Sequence, residues 1–449
     1  MELLDKFVLP QSAHHMVLIK YLLVLTHILF ISYTSVLLGS LIYSIYFKRR
    51  FEQTGDPVLY EFTKDLIDLA TFNKGTAFAF GFVPLLSAMF GYSQLLHGTS
   101  VNVADYLIVA MLFLLAGLIL IFTFKYSIHL KDIFLVAETG KTDNNRSKEE
   151  IENYKSSTSV LYKKTGMYAL ICLLIAVYWY TSAVQVATDI SRWNPDNGIL
   201  HFIFSVNTLA SFLQTISISL TLTSLVVLYK FFRPNRELTL DDEKYLSFVK
   251  NFSLKSAALY SLLVPVTIVL ATFSKPVTSL SFDFFGTTII AMLLVLLISV
   301  LVYVMMKENS VKYASAAIFL FVIVYGVLVL RDQYSFDTAT QAHYAFLSAE
   351  YDNYEMGLKE KFGITKVVVN GADIYNTKCI ACHNFDKKVV GPPHNSVLPK
   401  YEGKKDALVK YILSPVKVDP AYPAMPQQGL KPNEAEAVAD YMLATYKKK

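Results

Sequence analysis

Eight apolar runs, each long enough to cross a bilayer, dominate this 449-residue chain. They fall at about 18–46, 75–97, 104–127, 165–188, 199–231, 253–273, 282–306 and 312–330. A hydrocarbon core of about 30 Å takes about 20 apolar residues in a helix, so each run predicts a membrane-spanning helix. Composition agrees: 54% of residues are hydrophobic and 17% charged, against about a quarter charged in ordinary globular chains. The first run lacks a small-residue cleavage site and reads as an uncleaved first span.

Loop charges orient the bundle. The odd-numbered loops are basic, with Lys48, Arg49 and Arg50 in the first and Arg146, Lys148 and Lys155 in the third. Lys230, Arg233 and Arg236 lie in the fifth, and Lys307 and Lys312 in the seventh. The second loop (98–105) has no Lys or Arg, the fourth has only Arg192, and the sixth only Lys275. Odd loops are therefore expected on the cytoplasmic side, with both termini outside. The net charge of +5 is modest and unclustered. It gives no indication of nucleic-acid binding.

Beyond the last span lies Cys379-Ile380-Ala381-Cys382-His383, a C-x-x-C-H motif. Such a motif attaches haem c through two thioethers, and its histidine is the proximal iron ligand. A zinc site would want a further Cys or His pair nearby, whereas the only other cysteine is Cys172. A redox dithiol would want a βαβ context, which is missing. Haem c also requires the C-terminal part to lie outside a bacterial cytoplasmic membrane, in agreement with the loop charges.

The flanks extend the pattern. Residues 371–378 have helical spacing that runs into the motif. Val390-Gly391-Pro392-Pro393 and Tyr422-Pro423-Ala424-Met425-Pro426 follow. Ala437, Val438, Tyr441, Met442 and Tyr446 then sit at helical spacing. This order resembles a small class I cytochrome c, over about residues 368–449. The resemblance implies one covalent haem c on Cys379 and Cys382, with iron held by His383 and Met425. Met442 is expected on the apolar face of the last helix. His394, eleven residues after His383, reads as a solvent-facing loop histidine.

Histidines inside the membrane are functional candidates. His27 and His201 share the outer half of the expected bundle, and two imidazoles at similar depth are what a b-type haem needs. A second resemblance bears on them. Residues about 20–100 resemble the start of the large subunit (subunit I) of cytochrome bd-type quinol oxidases. The stretches that carry it are Thr26-His27-Ile28-Leu29-Phe30, Gln53-Thr54-Gly55-Asp56-Pro57 and Phe72-Asn73-Lys74-Gly75-Thr76. It implies one or two b haems, with His27 and His201 as iron ligands. Residues 106–124 contain no carboxylate, and the loop at 274–281 is short. An oxygen reductase is therefore the minor alternative.

The expected protein is all-α. An eight-helix transmembrane domain (1–331) leads through an amphipathic helical linker (332–367) into a mono-haem cytochrome c domain (368–449). As an oxidoreductase subunit of a respiratory complex it would pass electrons between b haem and haem c. Its expected partners are other subunits, a soluble or membrane-bound redox protein, and quinone. In the alternative, the membrane part is a haem-free platform for a tethered cytochrome c.

Overall fold

The structure is a computed structural model describing residues 10–101, 103–139, 145–193, 204–233, 243–362 and 370–447. The described residues form helices and loops with no strand, as expected for an all-α chain. They divide into two compact units, Met1–Tyr351 and Asp352–Lys449.

Among the described residues, nine long helices begin in the first unit: α1 (Ala13–Thr54), α2 (Pro57–Ala70), α3 (Lys74–Leu95), α4 (Val103–Thr139), α5 (Asn145–Ala187), α6 (Val206–Phe232), α7 (Glu243–Phe273), α8 (Phe282–Lys307) and α9 (Ala314–Lys361), whose last turns pass Tyr351. All but α2 are long and apolar enough to cross a membrane, by length and composition. The chain is a multi-pass membrane protein. Helix starts follow their capping residues. Asp56 caps α2 by accepting from the Val58 N–H, with Pro57 at the first helical position. Ser205 caps α6 through the Thr208 N–H, and Ser281 caps α8 through the Phe284 N–H. Gly55 ends α1 at φ 70°, a left-handed conformation that glycine adopts without steric cost.

Helices in lipid cohere through close backbone approach and polar contacts, because lipid is as apolar as leucine. At Gly39 of α1 a Cβ would lie 2.2 Å from Thr223 Oγ1 and 2.6 Å from the Ser219 carbonyl oxygen of α6. Tyr43 ties α1 to α6 and α7 through Ser224 at 3.1 Å and Ser256 at 2.7 Å. The hydroxyls of α6 mostly bond back to the carbonyl four residues earlier, as Ser217, Ser219, Thr221 and Ser224 do. This satisfies them without a partner helix.

Residue 331, the expected boundary, lies inside α9, and most of the expected helical linker over 332–367 is the C-terminal part of that helix. Helix α9 runs unbroken from Ala314 to Lys361, about 70 Å at 1.5 Å per residue. Phe336, Ala339, Thr340 and Leu347 are buried, within the first unit, which extends to Tyr351. The polar stretch after Leu330 contains no helix breaker, so the span continues instead of starting anew.

In the second unit, α10 (Gly371–Ile374) leads into a π-helical turn (Tyr375–Cys379). Then come α11 (His394–Val397), α12 (Lys405–Leu413) and α13 (Pro432–Lys447). Tyr375, Leu398, Leu408, Ile412, Val438 and Met442 belong to its core. Gly371 allows α10 to meet α13: a Cβ there would stand 2.0 Å from the Ala437 carbonyl oxygen.

Candidate functional site

The π-helical turn delivers Cys379 to the wall of a cavity in the second unit. Cys382 and His383 follow in a tight turn, both N–H groups donating to the Cys379 carbonyl at 3.1 and 3.0 Å. No disulfide joins Cys379 and Cys382. Burial first, and then Cys382, push the Cys379 thiol above its ordinary pKa.

The chain after the motif folds back onto it, with the Val390 and Gly391 N–H groups donating to the Cys382 carbonyl. This sets the Pro392 carbonyl 3.4 Å from His383 Nδ1. Nδ1–H is thereby the donor and Nε2 the free lone pair, the arrangement in which a backbone carbonyl orients a ligating imidazole. Burial lowers the His383 pKa, opposed by the Pro392 contact, which favours the neutral, ligating form.

The cavity holds about 1460 Å³ of empty space. Cys379, Cys382, His383 and Met425 all line it, with Leu408 and Val438 among its apolar walls. Met425 lies on a loop tied down by Gln427 Nε2, which donates to the Leu413 carbonyl at 3.0 Å. Two thiols, an imidazole with one nitrogen free, a thioether and apolar walls on one cavity match the donor set and surroundings of a covalent haem. Met442 is buried in the core and lines the same cavity, as expected from its helical face.

His394 corrects an expectation. It is buried, not solvent-facing. Its ring stacks on that of His383, centroids 4.7 Å apart and planes 11° from parallel. Burial and then His383 lower its pKa to about 4. Pro392 and Pro393 turn the chain inward here, and the Asn384 carbonyl accepts from the His394 N–H at 3.0 Å. The stacking holds the His394 ring directly against the His383 ring.

Gly391 is a demanding position. A Cβ there would lie 2.3 Å from His383 Cε1 and 2.7 Å from Nδ1, so Gly391→Ala has to push the imidazole aside. The expected result is at least a several-fold loss of chains carrying haem, read as haem absorbance per protein, and no change on Gly357→Ala, a helical glycine with open space around it, as the control. Equal haem content in Gly391→Ala would contradict the close packing.

Residues 367–442 match the family model described as cytochrome C oxidase, cbb3-type, subunit III. Cytochrome c-551 of Pseudomonas denitrificans is 32% identical over 78 residues, which are 16% of this chain and 94% of that protein. Cytochrome c-552 of Hydrogenobacter thermophilus (strain DSM 6534 / IAM 12695 / TK-6) is 38% identical over 71 residues, 15% of this chain and 70% of that protein. Through this domain the chain belongs to the cytochrome c family. It is a c-type cytochrome with a covalently bound haem c, and electron transfer is the activity that follows.

The cytochrome c domain thus accounts for one expected centre. The candidate b-haem centre fares differently. His201 lies outside the described residues. His27 is buried in the first unit, with Nδ1 2.5 Å from the Tyr180 hydroxyl and Nε2 3.0 Å from the Tyr92 hydroxyl. Both ring nitrogens are therefore engaged, and neither offers a lone pair to iron in this arrangement. The residues around His27 do not fit a haem iron. Instead, His27 stands on a cleft whose far side carries an ion pair absent from the sequence-based expectations. There Arg331 Nη2 lies 2.8 Å from Asp332 Oδ1, and Lys275 Nζ lies 3.9 Å from the same oxygen. Burial first, partly offset by Asp332, pulls the Lys275 pKa down to about 8.

Proposed function

We propose that this chain is a membrane-bound electron-transfer subunit of a respiratory complex. Cys379 and Cys382 would hold the haem through thioethers, and His383 and Met425 would supply the nitrogen and sulfur donors to its iron. The observation that carries this reading is the convergence of those four side chains on one apolar cavity. When bound, the haem supplies a single-electron couple. The protein supplies the rest. Pro392 fixes the imidazole tautomer, and the loop anchored by Gln427 holds the thioether. A neutral sulfur ligand raises the potential, as suits an electron carrier.

The domain is placed on the outer face of a bacterial cytoplasmic membrane, supported by the basic odd loops and the chemistry of haem c attachment. The first unit is read as a scaffold similar to subunit I of the bd-type oxidases, carrying no b haem at His27. That second feature is favoured by the two tyrosine contacts of His27. Twelve lysines against eight acidic residues over 368–449 give the domain a mild positive field toward an acidic redox partner. One of those lysines, Lys405, is paired with Asp440 at 2.7 Å.

A redox titration of the purified full-length protein tests the reading. One single-electron wave, following the haem c absorbance alone, is expected. A second wave with b-type absorbance would return His27 and His201 to the account. No redox-active chromophore would end it.

A further inference from the structure

Two cations share one carboxylate beside the His27 cleft. Arg331 Nε and Nη2 donate to Asp332 Oδ1 at 3.1 and 2.8 Å. Lys275 Nζ stands 3.9 Å from the same oxygen. The side chains of Lys275 and Arg331 are 1% and 3% exposed. Asp189 is the other carboxylate whose charge reaches Lys275. It is already committed to Arg192 at 2.6 Å and to the Ser191 hydroxyl at 2.5 Å. Lys275, at a pKa of about 8, is charged at neutral pH. Among the described residues the cluster therefore holds one positive charge in excess, and a buried charge without a counter-ion is strongly unfavourable.

The unused donors converge. Arg331 Nη1, Lys275 Nζ and Ser211 Oγ have no hydrogen-bond partner among the described residues. Asp332 takes the Nε–Nη2 edge of the guanidinium, and Gln214 Oε1 adds to Nη2 at 3.4 Å, which leaves both N–H groups of Nη1 over. On α6, Ser217 and Ser219 donate to their own helix, whereas Ser211 does not. Arg331 and Ser211 both line the cleft, together with Gln185. Gln185 Oε1 also lacks a donor, and a half-turn of its amide presents the NH₂ in its place. Ile31, Val184 and Leu328 give the remaining walls an apolar surface, around about 750 Å³ of open space.

Charge and shape together select a ligand class. One excess positive charge calls for a single negative charge, and a phosphate dianion would reverse the imbalance. An inorganic monoanion would balance the charge but make no use of the apolar walls, in a cleft the size of those that take organic ligands. We propose that this cleft binds an organic monocarboxylate, its carboxylate on Arg331 Nη1 and Ser211 Oγ within the field of Lys275 and its apolar body along Ile31, Val184 and Leu328. Such an acid reaches the cleft from water if its body is short and from the bilayer if it is long. The inference does not rest on the electron-transfer reading.

Isothermal titration calorimetry of the full-length protein in maltoside detergent tests it, with acetate, butyrate and octanoate as probes and octanol as the uncharged control. One saturable octanoate site per chain is expected, with affinity rising from acetate through butyrate to octanoate and no saturable heat from octanol. Lys275→Met replaces the ammonium with an unbranched apolar chain and is expected to weaken octanoate about tenfold or more, as is Arg331→Gln. Ser211→Ala, which removes a single oxygen, is expected to weaken it several-fold, and this variant and Lys275→Met keep the test decisive if Arg331→Gln does not fold. Absence of saturable octanoate binding, or equal affinity in wild type, Lys275→Met and Ser211→Ala, would overturn the site. Octanol binding as tightly as octanoate would overturn the role of the charge, and acetate binding as tightly as octanoate would overturn the apolar body. Stoichiometric b haem in the same sample would also overturn it, since haem propionates would then take these donors.

Discussion

Replacing Cys379 and Cys382 together with alanine is expected to remove all covalently bound haem and to unfold the C-terminal unit. The cavity they line holds about 1460 Å³. The buried hydrophobic core around it is small, with Tyr375, Leu398, Leu408, Ile412, Val438 and Met442 among its members. A unit of this size buries a low fraction of its surface and has little stability to lose. The walls at Leu408, Val438 and Met442 would face either water or an empty space, and both are unfavourable. Haem staining of a denaturing gel should fall to background in the double variant. Limited proteolysis should remove the C-terminal unit and leave a protected fragment ending near the close of α9. Single variants, with one thiol left, should keep haem at reduced yield. Full haem retention in the double variant would mean that the motif is not the attachment site.

The second large effect is on potential. Met425→Ala removes a soft, neutral ligand that favours ferrous iron. With both thioethers and His383 in place the haem stays attached, so the loss is read in the couple and not in haem content. Axial ligands shift haem potentials across about 0.8 V, and a fall on the order of 0.2 V is expected here. The weak red charge-transfer band of methionine-ligated ferric haem should disappear with it. An unchanged potential and band would move the ligand to another residue. Met442 is the nearest alternative by chemistry, but it is buried in the core on α13.

Much of this architecture is legible in the chain because membrane spans and haem c attachment are both local. Apolar runs near the length of a bilayer core give the helices, and five consecutive residues give the haem site. The place of Met425 on the cavity wall is in keeping with a methionine between prolines that follows the motif. What could not be read depends on contacts between distant segments. Arg331 and Asp332 look like the start of a polar stalk. Only the packing of α5, α6 and α9 puts Arg331 beside Gln214, at 3.4 Å, and near Gln185 and Ser211. His27 is an intramembrane histidine in either setting. Whether it faces iron or two tyrosines depends on Tyr92 and Tyr180, 65 and 153 residues away. The same holds for the end of the membrane unit. Periodicity showed a helix after residue 331, but gave no sign that Phe336 and Leu347 are buried in the first unit. His394 was misplaced because a polar, proline-flanked stretch resembles an exposed loop, and stacking on His383 has no sequence signature.

The central claim is one covalent haem c per chain in the C-terminal unit, beside a membrane unit whose His27 holds no iron. Pyridine haemochrome quantification on the purified full-length protein, set against polypeptide concentration, measures both parts at once. One haem c and no haem b per chain is the predicted result. Zero haem c would contradict the assignment of Cys379, Cys382 and His383, and stoichiometric haem b would contradict the account of His27.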